Sequence, residues 1–163
     1  MNSVLVLVFT AVLIASVGVV AQSKPGSLQG VWRVAEVALP GPAAQTITNP
    51  QPSLTIITAR HYSRTEVHAD QPRPTPADIN KATVDELRAA WGPFVGEAGT
   101  YEVSGGNLLI TRPIVTKNPA AMASGSFATS SFKLEGNVLW VTPQSDRNGP
   151  IANPVTVKLV RVE

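Results

Sequence analysis

An all-β fold, an antiparallel up-and-down barrel of about eight strands with one inserted helix, is what this chain predicts. Three observations carry that expectation. Short segments of alternating polarity recur along the chain, as half-buried strands require. Two of the joins, Ser104-Gly105-Gly106 and Glu135-Gly136-Asn137, are glycine turns of the hairpin kind. The 14 prolines all lie at or after Pro25 and cluster between those segments. Proline has no amide to give to a ladder, so the clusters read as connections.

The elements follow in order. Met1 to Ala21 is a leader: Val4 to Ala21 is apolar except at Thr10, Ser16 and Gly18, and the first charged side chain is Lys24. Val19-Val20-Ala21 offers a cleavage site after Ala21, as in a secretory signal peptide. The rival reading is an uncleaved anchor, since the run is long enough to span a bilayer. In both readings the domain from Gln22 to Glu163 lies outside the cytoplasm, so the expected location is periplasmic or secreted.

Gly30 to Leu39 is the first strand, with Trp32, Val34, Glu36 and Ala38 expected on one face. Ser53 to Thr58 and His61 to His68 are the second and third, turning at Ala59-Arg60. Then the period changes. Val84, Leu87 and Trp91 fall on one helical face, Thr83 and Glu86 have capping-box spacing, and Gly92-Pro93 ends the helix. Gly99 to Val103, Asn107 to Thr116, Ser126 to Leu134, Val138 to Thr142 and Val155 to Val162 complete the set. Pro113 lies inside one of these strands and is expected at a bulge or an edge. Eight strands is the number that closes a small barrel filled by side chains.

Composition removes several functions. With no cysteine, the chain has no disulfide framework, thiolate metal site, cysteine nucleophile or lipoprotein anchor. Net charge is +2, no run of Lys or Arg exists, and aromatics are 6 % of residues, so no nucleic-acid footprint is present. His61 and His68 are the two histidines. Seven apart on a strand, they face opposite ways, and no metal site or other cofactor is expected. Gly125-Ser126-Phe127 lacks the second glycine of a nucleophile elbow. Gly105-Gly106 is a hairpin turn rather than a phosphate loop.

Leu28-Gln29-Gly30-Val31-Trp32 opens the domain with a Gly-x-Trp pattern. Joined to it are Ile57-Thr58 running into His61-Tyr62-Ser63, Ala90-Trp91-Gly92-Pro93-Phe94, Gly99-Thr100-Tyr101-Glu102-Val103, and the stretch from Arg112 to Pro119. Together these resemble the lipocalin-like, or calycin-type, domains, and more narrowly a group of small secreted bacterial proteins of that kind with no assigned activity. The resemblance implies a barrel closed at Gly30 and Trp32, with Arg161 or Lys158 over the indole. The helix between the third and fourth strands departs from it, because typical lipocalins carry theirs near the C-terminus.

The candidate chemistry is concentrated in the third strand. Either Tyr62, Arg64, Glu66 and His68 point inward, or His61, Ser63, Thr65 and Val67 do; a period of two forbids both. The plain alternative is that the polar face is simply solvated. Glu36, if inward beside Trp32, needs a partner such as Arg112 or Arg64. Tyr101, Phe132, Phe127 and Trp140 line or jacket the barrel, and a pocket among them is the expected small-molecule site. The leading expectation is therefore a module binding a small, partly apolar molecule, with Glu36, Tyr62, Arg64, Glu66, Tyr101, Arg112 and Trp140 as candidate contacts. The alternative is an isomerase, dehydratase or cyclase using Tyr62 as acid, Arg64 as anion holder and Glu66 as base. A third reading is a solidly packed structural or envelope barrel. No nucleic-acid partner is expected, and a membrane only through the leader. Ligand identity and oligomeric state stay open at this level.

Overall fold

The computed structural model describes residues 27–42 and 44–163. The proposed leader, 1–21, lies outside them. Ten strands form one sheet: β1 (Gly30–Leu39), β2 (Gln45–Ile47), β3 (Ser53–Ile57), β4 (His61–Val67), β5 (Phe94–Ser104), β6 (Leu108–Thr116), β7 (Ala128–Glu135), β8 (Val138–Asp146), β9 (Gly149–Pro150) and β10 (Thr156–Arg161). Helix α1 (Val84–Trp91) falls between β4 and β5, and a 3₁₀ turn spans Pro119–Met122. The path runs β10-β1-β3-β4-β5-β6-β7-β8, and β10 pairs with β8, so eight antiparallel strands close on themselves. β2 and β9 are short additions at the ends of β1 and β8.

Several boundaries differ from the expected ones for a local reason. β5 begins at Phe94, five residues before Gly99: Gly96, Glu97 and Ala98 are poor strand formers, and pairing with β4 from Val67 to Ser63 holds them in the sheet. β8 runs on to Asp146 through Pro143. It can do so because the β7–β8 register slips between Thr129 and Ser130, leaving Gln144 as the extra residue beside that proline. Pro113 is accommodated in the same way. Gly99 pairs with Pro113 and Ala98 with Val115, so Ile114 is the unmatched residue. Bulges remove ladder bonds locally, which is where a strand tolerates proline. Gly99 is tied to this site: an added Cβ would run into the Arg112 carbonyl and lie 2.9 Å from Pro113 Cα.

The third bulge changes the first strand. Val34 pairs with Leu159 and Glu36 with Lys158, so Ala35 is extra and the side-chain parity inverts beyond it. Trp32 and Val34 point inward as expected, but Val37 follows them into the core. Glu36 goes outward, and the expected shared face with Trp32 ends at Val34.

The core fills the end of the barrel where β1 begins. Trp32 is completely buried, packed with Leu28, Val34, Ile57, Tyr62, Leu139 and Leu159. Its indole Nε1 donates to the Leu28 carbonyl at 2.9 Å, and the Arg161 guanidinium lies 4.1 Å from its ring centroid. Arg161 also donates to the Ser27 carbonyl at 2.6 Å and to that of Gln29. A cation over an indole adds about 0.5–2 kcal/mol, and here the same cation ties the chain before β1 to the last strand.

Helix α1 has the capping box that its sequence encodes. The Glu86 amide donates to Thr83 Oγ1 at 3.2 Å and the Thr83 amide to Glu86 Oε2 at 2.8 Å. Its C-terminal end is fastened to the rim of the wall by Lys117, whose ammonium donates to the carbonyls of Trp91, Gly92 and Phe94. A cation at this end also opposes the negative pole of the helix dipole.

Candidate functional site

The parity of β4 sets the site. Tyr62 is buried, Arg64 and Glu66 are part-buried, and His61, Ser63 and Thr65 are exposed. Tyr62, Arg64 and Glu66 therefore face the interior, opposite Gly99, Glu97 and Val95 of β5. Glu97 is the residue that sequence reading missed. It is the pairing of Tyr62 with Gly99 that places Arg64 across from Glu97. The expected strand started at Gly99 and left Glu97 outside.

These side chains form a chain of contacts towards the end of the barrel where β4 stops. Tyr62 donates its hydroxyl to Glu97 Oε1 at 2.5 Å. Arg64 Nε is 3.6 Å from the same oxygen, and Arg64 Nη1 is 3.9 Å from Glu66 Oε2. His68, at the rim, places Nε2 2.7 Å from Glu66 Oε2. The carboxylates are 13 % and 14 % exposed and the guanidinium 39 %, so the cluster is partly covered and still reaches solvent. Arg64 makes Coulomb contacts with both acids but no hydrogen bond within 3.5 Å among the described residues.

Electrostatics assigns roles to two members. Burial, then the hydrogen bond to Glu97 and the charge of Glu97, push the Tyr62 phenol well above its ordinary value. Tyr62 is thus held as a neutral donor. Burial would raise the Glu66 carboxyl, but the hydrogen bond from His68 and the positive charge of Arg64 outweigh it and hold the group below its ordinary value. Glu66 is thus held as an anion. No three His, Asp or Glu among the described residues are placed to hold one metal ion.

At the opposite end, beside the core, the barrel carries a depression of about 570 Å³ that is open to solvent and lined by polar and apolar groups alike. Leu28, Tyr101, Phe132, Leu134 and the charged Lys133 line it, with Val103 and Gly106 of the β5–β6 hairpin at its edge. Tyr101 faces this space, and its hydroxyl donates to the Thr58 carbonyl at 2.8 Å. Of the four aromatics expected around a pocket, Tyr101 and Phe132 contribute.

The remaining candidates point elsewhere. Leu139 and Val141 pack into the core, so Trp140 between them faces outward, with Lys133 Nζ 5.4 Å from its ring. Lys158 is across from Trp140 on the same outer row and bonds Glu36 Oε1 at 2.5 Å. Neither Arg64 nor Arg112 is the partner of Glu36. Arg112 lies on the outer wall, bonded to Glu102 at 2.8 Å. Glu36, Trp140 and Arg112 therefore do not join Tyr62, Arg64, Glu66 or Tyr101. Phe127 is exposed.

No family model matches the chain, and no curated protein matches it. Among solved structures it is similar to a redesigned β-barrel, at 12 % identity and a TM-score of 0.40, over 83 % of this chain and 92 % of that one. The barrel assignment rests on the strand pairing itself.

Proposed function

We propose that this protein is an extracytoplasmic, lipocalin-like binding module that takes a small, partly apolar molecule into the barrel. The observation that carries the reading is the pocket of about 570 Å³ at the Trp32 end. Tyr101, Phe132 and Leu134 have inward parity; they pack against the core on one side and border the opening on the other. The volume falls within the roughly 300–1,000 Å³ of small-molecule pockets. Contact of an apolar body with the side chains there supplies affinity, and Lys133 and backbone groups at the edge supply orientation.

The enzyme reading has less support. A general base works best with a pKa near the working pH, and a phenol acid needs a lowered one. Glu66 is shifted down and Tyr62 up, each away from the value the reaction would need. The polar cluster reads better as an interior network that also offers hydrogen bonds at the end where β4 stops.

Native mass spectrometry of protein purified from its own host tests the binding reading. The expected result is a retained small molecule, absent from a Val103→Trp variant. Val103 is 45 % exposed at the pocket edge, so the indole fills the opening without disturbing the core. Empty wild-type protein in repeated preparations, or equal retention by the variant, would overturn the assignment.

A further inference from the structure

The outer wall of β3 to β6 differs from the rest of the barrel surface. In register across it run Ile56, Ser63, Ala98 and Val115. Ser63 and Ala98 are small, so the wall forms a shallow depression of about 330 Å³. Ile56 borders it on one side, and Ile114 and Val115 on the other. Ile114 and Val115 are 63 % and 59 % exposed. The β6 bulge is what turns two consecutive apolar side chains outward here. Towards the rim the same surface continues through Phe94, whose ring lies over Gly96, to Trp91, which is 53 % exposed. Exposed apolar patches of this kind mark interaction surfaces.

No acid stands at the outward positions of β3, β4 and β5 up to Thr100. Arg60, in the β3–β4 turn, is exposed and without an acidic partner among the described residues. At the rim, Arg73 is held by the Ala90 carbonyl and the rings of Phe94 and Trp91, and Lys117 by backbone carbonyls. Their charges are not neutralised by a carboxylate. Glu102 is the acid nearest the β6 edge, and it is paired with Arg112.

We propose that this wall is a docking surface for an anionic lipid bilayer. An apolar face ringed by unneutralised cations repels a second copy of itself across a two-fold axis, because like charges would meet. An anionic, deformable partner satisfies both parts: acyl chains enter the shallow depression, and headgroups meet the arginines and Lys117. The exposed indole of Trp91, at the border between the apolar wall and the charged rim, suits the headgroup level. No helix among the described residues is long and apolar enough to cross a membrane; the proposed contact is through the outer wall.

The test is co-sedimentation of the full chain with vesicles of phosphatidylcholine alone and of equal parts phosphatidylcholine and phosphatidylglycerol. Binding is expected only to the anionic vesicles and is lost in high salt. Ile114→Glu should lower partitioning about ten-fold or more, since it removes a buried aliphatic side chain. Arg60→Gln should lower it about five-fold, one basic contact being worth roughly 1 kcal/mol at an anionic surface. Both sites are exposed, and an unchanged Tm verifies the fold. Binding that ignores both substitutions would be carried by the apolar stretch before Gln22 and would overturn the proposal. So would a dimer, or capture of an acidic protein, that Ile114→Glu abolishes while the anionic vesicles stay unbound.

Discussion

Glu66 shows how one inward side chain is held in a single state. Its carboxylate is mostly covered, which alone would favour the neutral acid; His68 and Arg64 reverse that preference. The folded pKa therefore lies below the unfolded one, so the unfolded chain binds more protons on acidification. The contribution of Glu66 is fully present above the ordinary glutamate value, 4.5. It is lost as pH falls through the depressed folded value. Urea titrations over the acid range should show stability falling with pH, and Glu66→Gln should flatten that slope. A slope unchanged by the substitution would mean that other carboxylates dominate the acid limb. Arg64 and Glu66 were legible in the sequence as a polar strand. Their partner Glu97 was not, because its role depends on a cross-strand pairing with β4.

At the scale of elements, α1 is the part most dependent on its ends. It is eight residues long, too short to be stable alone in water. Val84 and Trp91, from the stripe read as its apolar face, are exposed, and Ala90 is its buried residue. What holds it is the Thr83–Glu86 box at one end and Lys117 at the other. Loss of an N-cap costs about 1 kcal/mol. Thr83→Ala should therefore speed amide hydrogen exchange in 84–91 several-fold while protection in β1 and β10 stays unchanged. Faster exchange across the whole barrel, β1 and β10 included, would show that α1 unfolds only with it. The strands behave differently. Their stability lies in cross-strand pairing, and the three bulges within them were not readable from alternation, except where Pro113 signalled one.

For the whole molecule, closure is the central event. β10 pairs with both β8 and β1, and Trp32, Arg161 and Gly30 meet where the ends join. Gly30 has φ +142°, and a Cβ there would collide with the Arg161 guanidinium and lie 2.6 Å from the Glu163 carbonyl oxygen. Only glycine lets the last strand lie this close. Trp32→Ala should cost about 3–5 kcal/mol, as removal of a buried aromatic does, measured as a lower denaturation midpoint. A loss under about 1 kcal/mol, the scale of an ordinary surface change, would show that the indole is not central to closure.

The sequence alone determined the class of fold, the order of eight strands and the place of the helix. Those features are local: alternation, glycine turns, proline breaks and a capping box act within a few residues of one another. Tertiary structure decided what each face is for. One extra residue at Ala35 sent Glu36 outward to Lys158, and pairing across the barrel put Glu97 beside Tyr62 and Arg64. Packing in the core left Trp140 on the outside and Tyr101 at a pocket. Register and closure are relations between distant segments, and a strand's own alternation cannot say which of its two faces the barrel will enclose.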